Sequence, residues 1–300
     1  MAHGVARDIA DIPRYYAHIR HGQPVSPAVQ QELVDRYRAI GGHSPLGEVT
    51  EQLAAGTERV LDARNPGAYR VFVGFRHSEP FIGDVVQEMA AAGVEDAVGI
   101  ALAPHYSHMS TDLYMAAAEA GLEVAGRPFE LRPVRQWHDA PGLVELLADR
   151  VTAARTRLPD AVREACPVVF TAHSLPRRIL ETDDPYRDQL QETADLVARA
   201  LGLPRYEIGW QSAGRTREPW LGPDILERMR ELAAEGAPGL LVCPCGFTSD
   251  HLEVLYDLDI AARQLADDLG LAFERTASLN DDPRFQVVLA DLVERVLTDA

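Results

Sequence analysis

Short apolar runs alternate along the chain with longer stretches in which apolar residues recur at helical spacing. The clearest apolar runs are residues 71–74, 97–103, 167–172, 206–210 and 239–244, with weaker ones within 122–134 and at 271–275. The amphipathic stretches between them are residues 82–92, 111–120, 142–157, 186–201, 225–234, 253–269 and 283–297. This alternation of strand and helix is typical of parallel sheets with helices on both faces. The pattern predicts an α/β fold.

The chain divides into two groups of such elements. Residues 137–141, Trp-His-Asp-Ala-Pro, have the composition of a linker, and each side carries enough elements for one doubly wound sheet of about four strands. A chain of 300 residues that is 46% hydrophobic can form one large α/β domain or two medium ones. The pattern favours two.

Composition excludes several classes of protein. The net charge is −17 and there is no basic stripe, so no nucleic acid partner is predicted. No apolar run approaches the roughly 20 residues of a membrane-spanning helix, so no integral membrane segment is predicted, and no signal peptide pattern is visible. Three cysteines, Cys166, Cys243 and Cys245, are too few for a disulfide framework. These features predict a cytoplasmic protein.

Histidines recur where predicted strands end. His77, His105 and His173 follow three of the apolar runs, and His251 follows a fourth within Thr-Ser-Asp-His-Leu-Glu. Ligands of open parallel sheets bind beyond the carboxyl ends of the strands, so these imidazoles are expected to converge on one cleft. Imidazole with carboxylate suits a divalent first-row metal or proton transfer near neutral pH. A single histidine of this kind is more often a hydrogen-bonding loop residue, and it is the repetition that favours function.

Two acidic residues follow His251 at helical spacing. Glu253 and Asp257 are four residues apart, so they share one face of the helix predicted to begin there. Acidic residues at a helix start also complement the helix dipole, which is the structural alternative.

Cationic and aromatic residues cluster in the first segment. Arg20, Arg36 and Tyr37 flank Gly-Gly-His-Ser-Pro at residues 41–45. Arginine pairs with carboxylates better than lysine does, so an acidic ligand is one interpretation; solvated helix faces are the other.

Other catalytic motifs are absent or weak. No Gly-x-Gly-x-x-Gly follows a strand and no Walker lysine loop occurs. Ser174 is not in a Gly-x-Ser-x-Gly turn, and Cys243-Pro-Cys245 has no second cysteine pair, which makes a zinc or iron–sulfur site a weak prediction.

Over nearly its whole length the chain resembles the ferrochelatases, and the Tyr-Tyr-Ala-His-Ile-Arg-His-Gly stretch at residues 15–22 is most similar to the coproporphyrin branch. Other resembling stretches are Arg-Tyr-x-x-Ile-Gly-Gly-x-Ser-Pro-Leu at 36–46, His-Ser-Glu-Pro-Phe at 77–81, Ala-Pro-His-Tyr-Ser at 103–107, His-Ser-Leu-Pro at 173–176, Asp-Pro-Tyr at 184–186, Trp-Gln-Ser at 210–212, Pro-Trp-Leu-Gly-Pro at 219–223 and Phe-Thr-Ser-Asp-His-Leu-Glu-Val-Leu-Tyr-Asp at 247–257.

The resemblance implies a fold and a reaction. It implies two Rossmann-like, chelatase-type domains, residues 1–140 and 141–300, around an active cleft, with the last helix packing back on the first domain. It implies a lyase that inserts ferrous iron into coproporphyrin III, giving Fe-coproporphyrin III for haem b biosynthesis. Iron is then a substrate, no cofactor is tightly bound and no [2Fe–2S] cluster is expected, because the cysteine-bearing C-terminal extension of some relatives is absent. The next haem-pathway enzyme is a candidate partner.

The resemblance also implies roles for individual residues. His173 and Glu253 are the family's pair for metal and protons, with His77 and Asp257 as further candidate iron ligands. The residues implied to contact the porphyrin and its carboxylates are His3, Arg20, Arg36, Tyr37, Ser44 and Tyr114.

The first residues depart from the family pattern. The family strand ending in Met-Ala-Tyr-Gly is here Met1-Ala-His-Gly4, so a histidine, His3, replaces the tyrosine that would ligate product iron. The resemblance also leads us to expect a strand body of about 5–6 residues upstream of Met1, so that either Met1 is not the natural start or the chain is truncated.

Two other functions remain open at this point. One is a chelatase for protoporphyrin IX, or for another tetrapyrrole with cobalt or nickel, because His and Glu do not specify the metal. The other is a catalytically weak porphyrin- or haem-binding protein, which the altered first strand would favour.

Overall fold

Parallel β-sheets form the centre of the fold in a computed structural model that describes residues 1–20, 22–214 and 216–298. The strands are β1 Asp96–Ile100, β2 Glu130–Val134, β3 Val168–His173, β4 Tyr206–Gln211, β5 Gly239–Cys243 and β6 Ala272–Arg275. The helices are α1 Ile12–Ile19, α2 Pro27–Ala39, α3 Leu46–Arg64, α4 Ile82–Ala91, α5 Thr111–Val124, α6 Pro141–Arg155, α7 Tyr186–Leu201, α8 Ile225–Ala234, α9 Leu252–Val254, a π-helix Leu255–Ala262, α10 Arg263–Leu269 and α11 Pro283–Thr298.

The sheet of the second half has four strands in the order β4-β3-β5-β6, all parallel. Residues 168–172 of the central strand β3 are buried on both faces. Val168 and Phe170 pack in the cluster that includes α6 and α7, whereas Val169 packs with α8 on the other side. Helices on both faces explain why this strand is a continuous apolar run in the sequence. The predicted α/β class is confirmed.

The sheet of the first half is less regular than predicted. Among the residues of this half that the structure describes, only β1 and β2 form a ladder, and the predicted strand 71–74 is extended chain without one. Residues 1–3 lie between these parts: the Ala2 N–H donates to the Gly74 carbonyl (3.1 Å), and the Met1 ammonium donates to the Ile100 carbonyl (2.7 Å). Segment 71–74 therefore lacks a neighbouring strand along most of its length.

Local sequence sets several helix ends. The Ser26 hydroxyl accepts a hydrogen bond from the Val29 N–H at the start of α2, which has proline in its first turn. Asp224 and Glu227 form a capping box at the start of α8. At the end of α7, Gly202 has a φ of +61°, a left-handed conformation that favours glycine.

The last helix, α11, packs against α3 of the first half. Arg64 of α3 pairs with Glu294 (2.7 Å) and Asp291 (2.8 Å). A Cβ at Gly56 would lie 2.1 Å from the side-chain amide of Gln286, so a larger residue here would force that side chain to move. In the described part of the chain, no helix is long and apolar enough to cross a membrane. The predicted boundary at residue 140 stays a prediction.

A buried histidine links the first half to α7. The Thr193 hydroxyl donates to the His138 carbonyl, so it accepts from Nε2 of His105 at 3.0 Å. Nearby, the Ser107 hydroxyl donates to the Asp184 carboxylate (2.8 Å). Burial, with a small contribution from His138, lowers the pKa of His105 to about 3. His105 is therefore a neutral structural residue in the folded protein.

This histidine predicts a pH dependence of stability. The unfolded chain binds a proton at His105 below pH 6.5, but the folded protein does not until about pH 3. Stability is therefore lost as pH falls through that window, by about 2 kcal/mol between pH 6.5 and 5. Urea unfolding of His105→Gln at these two pH values should show a smaller decrease than the parent. The exposed histidine variant His108→Gln is the control, and equal decreases in all three proteins would contradict the expectation.

Candidate active site

A histidine and a glutamate meet at the carboxyl ends of the second sheet's central strands. His173 is the last residue of β3, and Glu253 lies in α9, which begins after the loop that follows β5. Because β3 and β5 are paired, the two side chains come together, with Nε2 of His173 3.7 Å from Oε2 of Glu253. Each side chain is 35% exposed, so the pair faces an open cleft.

A second histidine presents the same nitrogen to the same carboxylate. Nε2 of His251 lies 3.6 Å from Oε2 of Glu253. In both histidines Nδ1 contacts a backbone carbonyl, of Ser174 for His173 and of Ser249 for His251, so Nδ1 carries a proton. In the form of the His173 ring with a single proton, Nε2 is therefore unprotonated and can accept a proton or bind a metal ion.

The charge state of this group follows from its neighbours. Burial alone would raise the pKa of Glu253, but the positive potential of His173 and His251 outweighs it and lowers the pKa to about 2. Burial opposes protonation of His251, yet its contact with Glu253 gives a net raised pKa. At neutral pH the site is thus a carboxylate held between imidazoles.

His3 approaches this pair from the first half. His3 is an exposed residue, but desolvation by the surrounding protein lowers its pKa to about 4; the charge of Glu253 raises this pKa and that of His173 lowers it. Its ring lies 4.6 Å from that of His77, centroid to centroid. His77 in turn has its Nδ1 3.1 Å from Nδ1 of His18, so it belongs to a histidine group of the first half.

Asp257 lies one helical turn beyond Glu253, on the π-helix. Burial and the charge of Glu253 raise the pKa of Asp257 to about 6. The Ser212 hydroxyl, which donates to the Asp257 carboxylate, and the charge of Arg36 act in the opposite direction. Such a carboxyl is close to half protonated near pH 6. Segments with i→i+5 hydrogen bonds are rare and often occur at functional sites.

The two predicted arginines differ in their surroundings. The Arg36 guanidinium lies 3.7 Å from Asp257, 3.3 Å from Glu32 and over the Tyr256 ring at 4.8 Å. A substrate carboxylate would therefore have to replace protein carboxylates at Arg36. Arg20 is exposed at the end of α1. Within the motif at residues 15–22, His21 lies outside the described residues.

Three further predicted contact residues are buried. The Tyr37 hydroxyl donates to the Ala6 carbonyl (2.9 Å), and Tyr114 lies under the Arg76 guanidinium at 6.0 Å. Burial raises the pKa of both phenols and the charge of Glu253 adds to it, so both tyrosines surround the same cleft. The buried Ser44 hydroxyl has no hydrogen-bond partner among the described residues.

Several residues of this region were not among the predicted iron ligands or porphyrin contacts. His251 was within the motif containing Glu253, and Arg76 directly precedes His77 at a predicted strand end. Tyr15, whose pKa is raised by burial and by Glu253, was within the motif at residues 15–22. Their positions in these motifs were visible in the sequence, but nothing local to Ser212 pointed to its contact with Asp257.

Solved structures with this fold define the class. The Bacillus subtilis protein SirB with Fe³⁺ aligns over 82% of this chain and 89% of its own, with a TM-score of 0.56 and 14% identity. The sirohydrochlorin chelatase SirB with cobalt, from Bacillus subtilis subspecies spizizenii, aligns over 83% of this chain and 89% of its own, with a TM-score of 0.52 and 14% identity. At this identity the likeness establishes the fold alone: the architecture is that of the chelatases, with a His–Glu pair in the cleft.

Sequence comparisons then define the family. The ferrochelatase family model matches residues 3–297. A ferrochelatase of Herpetosiphon aurantiacus is 41% identical over 99% of this chain and 96% of its own. The coproporphyrin III ferrochelatase of Anoxybacillus flavithermus is 43% identical over 98% and 93%, and that of Bacillus subtilis 41% over 99% and 96%. The chain belongs to the ferrochelatase family, and it is an enzyme, a lyase that inserts ferrous iron into a porphyrin. The predicted family is confirmed.

Proposed function

We propose that the protein inserts Fe²⁺ into coproporphyrin III to give Fe-coproporphyrin III for haem b biosynthesis. The observation that carries this is the His173–Glu253 pair, 3.7 Å apart and open to the cleft, with His3 electrostatically coupled to it. The names of two of the relatives above support the choice of coproporphyrin. Residues 15–22 support it independently, through their similarity to that branch.

The chemistry of insertion requires proton acceptors. Two pyrrole N–H protons leave the macrocycle as Fe²⁺ enters it, so the reaction releases two protons for each iron bound. The free Nε2 of His173 and the carboxylate of Glu253 can each receive one, and both can bind the incoming metal. Asp257, with a pKa of about 6, can pass protons onward from Glu253 towards solvent.

We expect coproporphyrin III to be preferred over protoporphyrin IX. Coproporphyrin has four propionates and protoporphyrin two, and Arg20 and Arg36 are the cations placed to pair with the extra charge. A single partly enclosed pair is worth about 1 kcal/mol, so Arg36→Ala should lower the preference by roughly fivefold. Anaerobic Fe²⁺ insertion into the two porphyrins, measured side by side, gives the ratio of kcat/KM.

The control for this experiment is Arg38→Ala, which removes an exposed arginine of the same helix that pairs with Asp35. Its ratio should equal that of the parent. Equal efficiency of the parent with both porphyrins would refute the choice of coproporphyrin, and unchanged ratios in Arg20→Ala and Arg36→Ala would remove these residues from the substrate site.

His3 gives a spectroscopic expectation. We propose that its imidazole ligates the iron of the product, where tyrosine occurs in the family pattern. A neutral imidazole favours ferrous iron relative to an anionic phenolate. Iron-coproporphyrin bound to the parent should therefore have an imidazole-type absorption spectrum and a higher reduction potential than in His3→Tyr. Identical spectra for the parent, His3→Ala and His3→Tyr would show that His3 is not a ligand.

We also propose the setting of the reaction. The free cysteines Cys166, Cys243 and Cys245 are buried and unpaired, which fits the reducing cytoplasm.

An all-cysteine [2Fe–2S] cluster needs four thiolates and the chain has three cysteines, so we propose that no such cluster and no other tightly bound cofactor is present. The product must be passed to an enzyme that modifies iron-coproporphyrin, and we propose that enzyme as a partner.

A further inference from the structure

Arg275, the last residue of β6, contacts acidic residues on both sides of Glu253 in the sequence. Its Nε and Nη2 donate to the two carboxylate oxygens of Asp259 on the π-helix, both at 2.6 Å. Its Nη1 lies 3.2 Å from the carboxylate of Asp250, in the loop that precedes α9. One guanidinium thus joins the chain before Glu253 to the chain after it.

This contact favours a single geometry. The two parallel hydrogen bonds to Asp259 fix the plane of the carboxylate as well as its distance, which a lysine ammonium could not do. The Arg275 side chain is only 13% exposed, so water competes little with its partners. The arrangement is therefore stiffer than an exposed ion pair of the same residue types.

Asp250 is held by a second set of contacts, from the chain that follows β6. The Ser278 hydroxyl donates to its carboxylate (2.8 Å), and so does the side-chain amide of Asn280 (3.0 Å). The Asn280 side-chain oxygen accepts from the Asp250 N–H (2.8 Å), so these two residues are paired in both directions. The loop that precedes Glu253 is therefore tied to the end of β6 at several points.

Glu253 depends on such support because its own helix is short. The helix α9 has three residues, too few to be stable without tertiary contacts. Within the part of the chain that the structure describes, Arg275 forms no hydrogen bond or ion pair with His173 or Glu253. Any influence of Arg275 on the reaction must then act through the placement of the segment that it holds.

We propose that Arg275 is a positioning residue for iron insertion. By binding one carboxylate on each side of Glu253, it fixes the orientation of that side chain towards His173. The proposal rests on the role of Glu253 proposed above. A displacement of about 1 Å in an active site can lower a rate by about 10²-fold. Loss of the Arg275 contacts should therefore lower kcat and leave porphyrin binding intact.

The test is Arg275→Gln, assayed well below its Tm by anaerobic Fe²⁺ insertion into coproporphyrin III. We expect kcat to fall by about 10–100-fold while KM for the porphyrin stays within about twofold. Hydrogen exchange of the amides of residues 251–258 should become at least about tenfold faster.

The matched control is Arg157→Gln, which removes another arginine that contacts the end of β6. Arg157 donates to the Glu274 carboxylate (2.9 Å) and to the Arg275 carbonyl (2.6 Å), but it contacts neither Asp250 nor Asp259 in the described structure. We expect Arg157→Gln to change neither kcat nor the exchange of residues 251–258. An equal loss of turnover in this control would overturn the proposal.

Asp259→Asn serves if Arg275→Gln does not fold, because it leaves Arg275 paired with Asp250. We expect it to lower kcat by about three- to tenfold with KM unchanged. Unchanged exchange of residues 251–258, an unchanged kcat, or a change confined to KM would overturn the proposal. Parent-like turnover in Glu253→Gln would instead refute the role of Glu253, and the exchange measurement is independent of that result.

Discussion

Replacing His173 with alanine is expected to reduce ferrous iron insertion by roughly 10²–10⁴-fold while the porphyrin still binds. The variant loses the unprotonated Nε2 that faces Glu253, and with it a group that can take a pyrrole proton or hold the incoming metal. It also removes positive potential from Glu253, so the pKa of that carboxyl should rise from its value of about 2. Insertion is measured anaerobically with coproporphyrin III, and binding by fluorescence titration of the porphyrin.

The control for this variant is His108→Ala, which removes a histidine whose side chain is 56% exposed and contacts Tyr106 and Asp112. Its turnover should match the parent. Near-normal turnover in His173→Ala would remove His173 from the reaction, and loss of porphyrin binding would show that it acts in binding.

Glu253→Gln is expected to reduce turnover by about 10²-fold or more, because it keeps the shape of the side chain and removes its charge. The same change leaves His251 without the carboxylate that raises its pKa. At a given pH, a larger fraction of the His251 ring should therefore be neutral than in the parent. The expected signature is therefore lower turnover together with a downward shift of the His251 pKa, which NMR titration measures.

A matched pair outside the cleft provides the control. Glu192 contacts Nε2 of His138 at 2.9 Å, and Glu192→Gln should leave turnover unchanged. If Glu253→Gln kept the parent's dependence on iron concentration, the metal would have to enter elsewhere, with His77 the first position to examine.

The second sheet was predictable from sequence because its strands are buried on both faces. An apolar run that contacts helices on each side has a composition that surrounding loops do not share, and β3 and β5 were located within about one residue. The strand-end histidines were predictable for a related reason, since parallel strands direct their carboxyl ends to one edge. His173 and Glu253 meet there.

Other features depend on packing between distant segments. Arg36 was predicted to contact the porphyrin, and that stays a prediction; what the sequence did not indicate is that α2 packs against the π-helix and brings Arg36 to Asp257 and Tyr256. Segment 71–74 has the composition of a strand, but a strand also needs neighbours, and here the hydrogen bonds are those of Gly74 and Arg76 with Ala2. No local pattern carries either piece of information.

The π-helix Leu255–Ala262 has a consequence for how insertions and deletions act on this enzyme. It continues directly from α9 and into α10, and its buried residues Leu258 and Ala262 anchor it in the core. A π turn contains one residue more than an α turn, so loss of one residue here would let the helix adopt regular α hydrogen bonding. A π turn and an α turn each complete one revolution, so α9, which carries Glu253, and α10 would keep nearly the same orientation relative to each other. A single-residue gap at this place in an alignment would thus leave the His–Glu pair in position and move only the side chains of the wide turn, Asp257 among them.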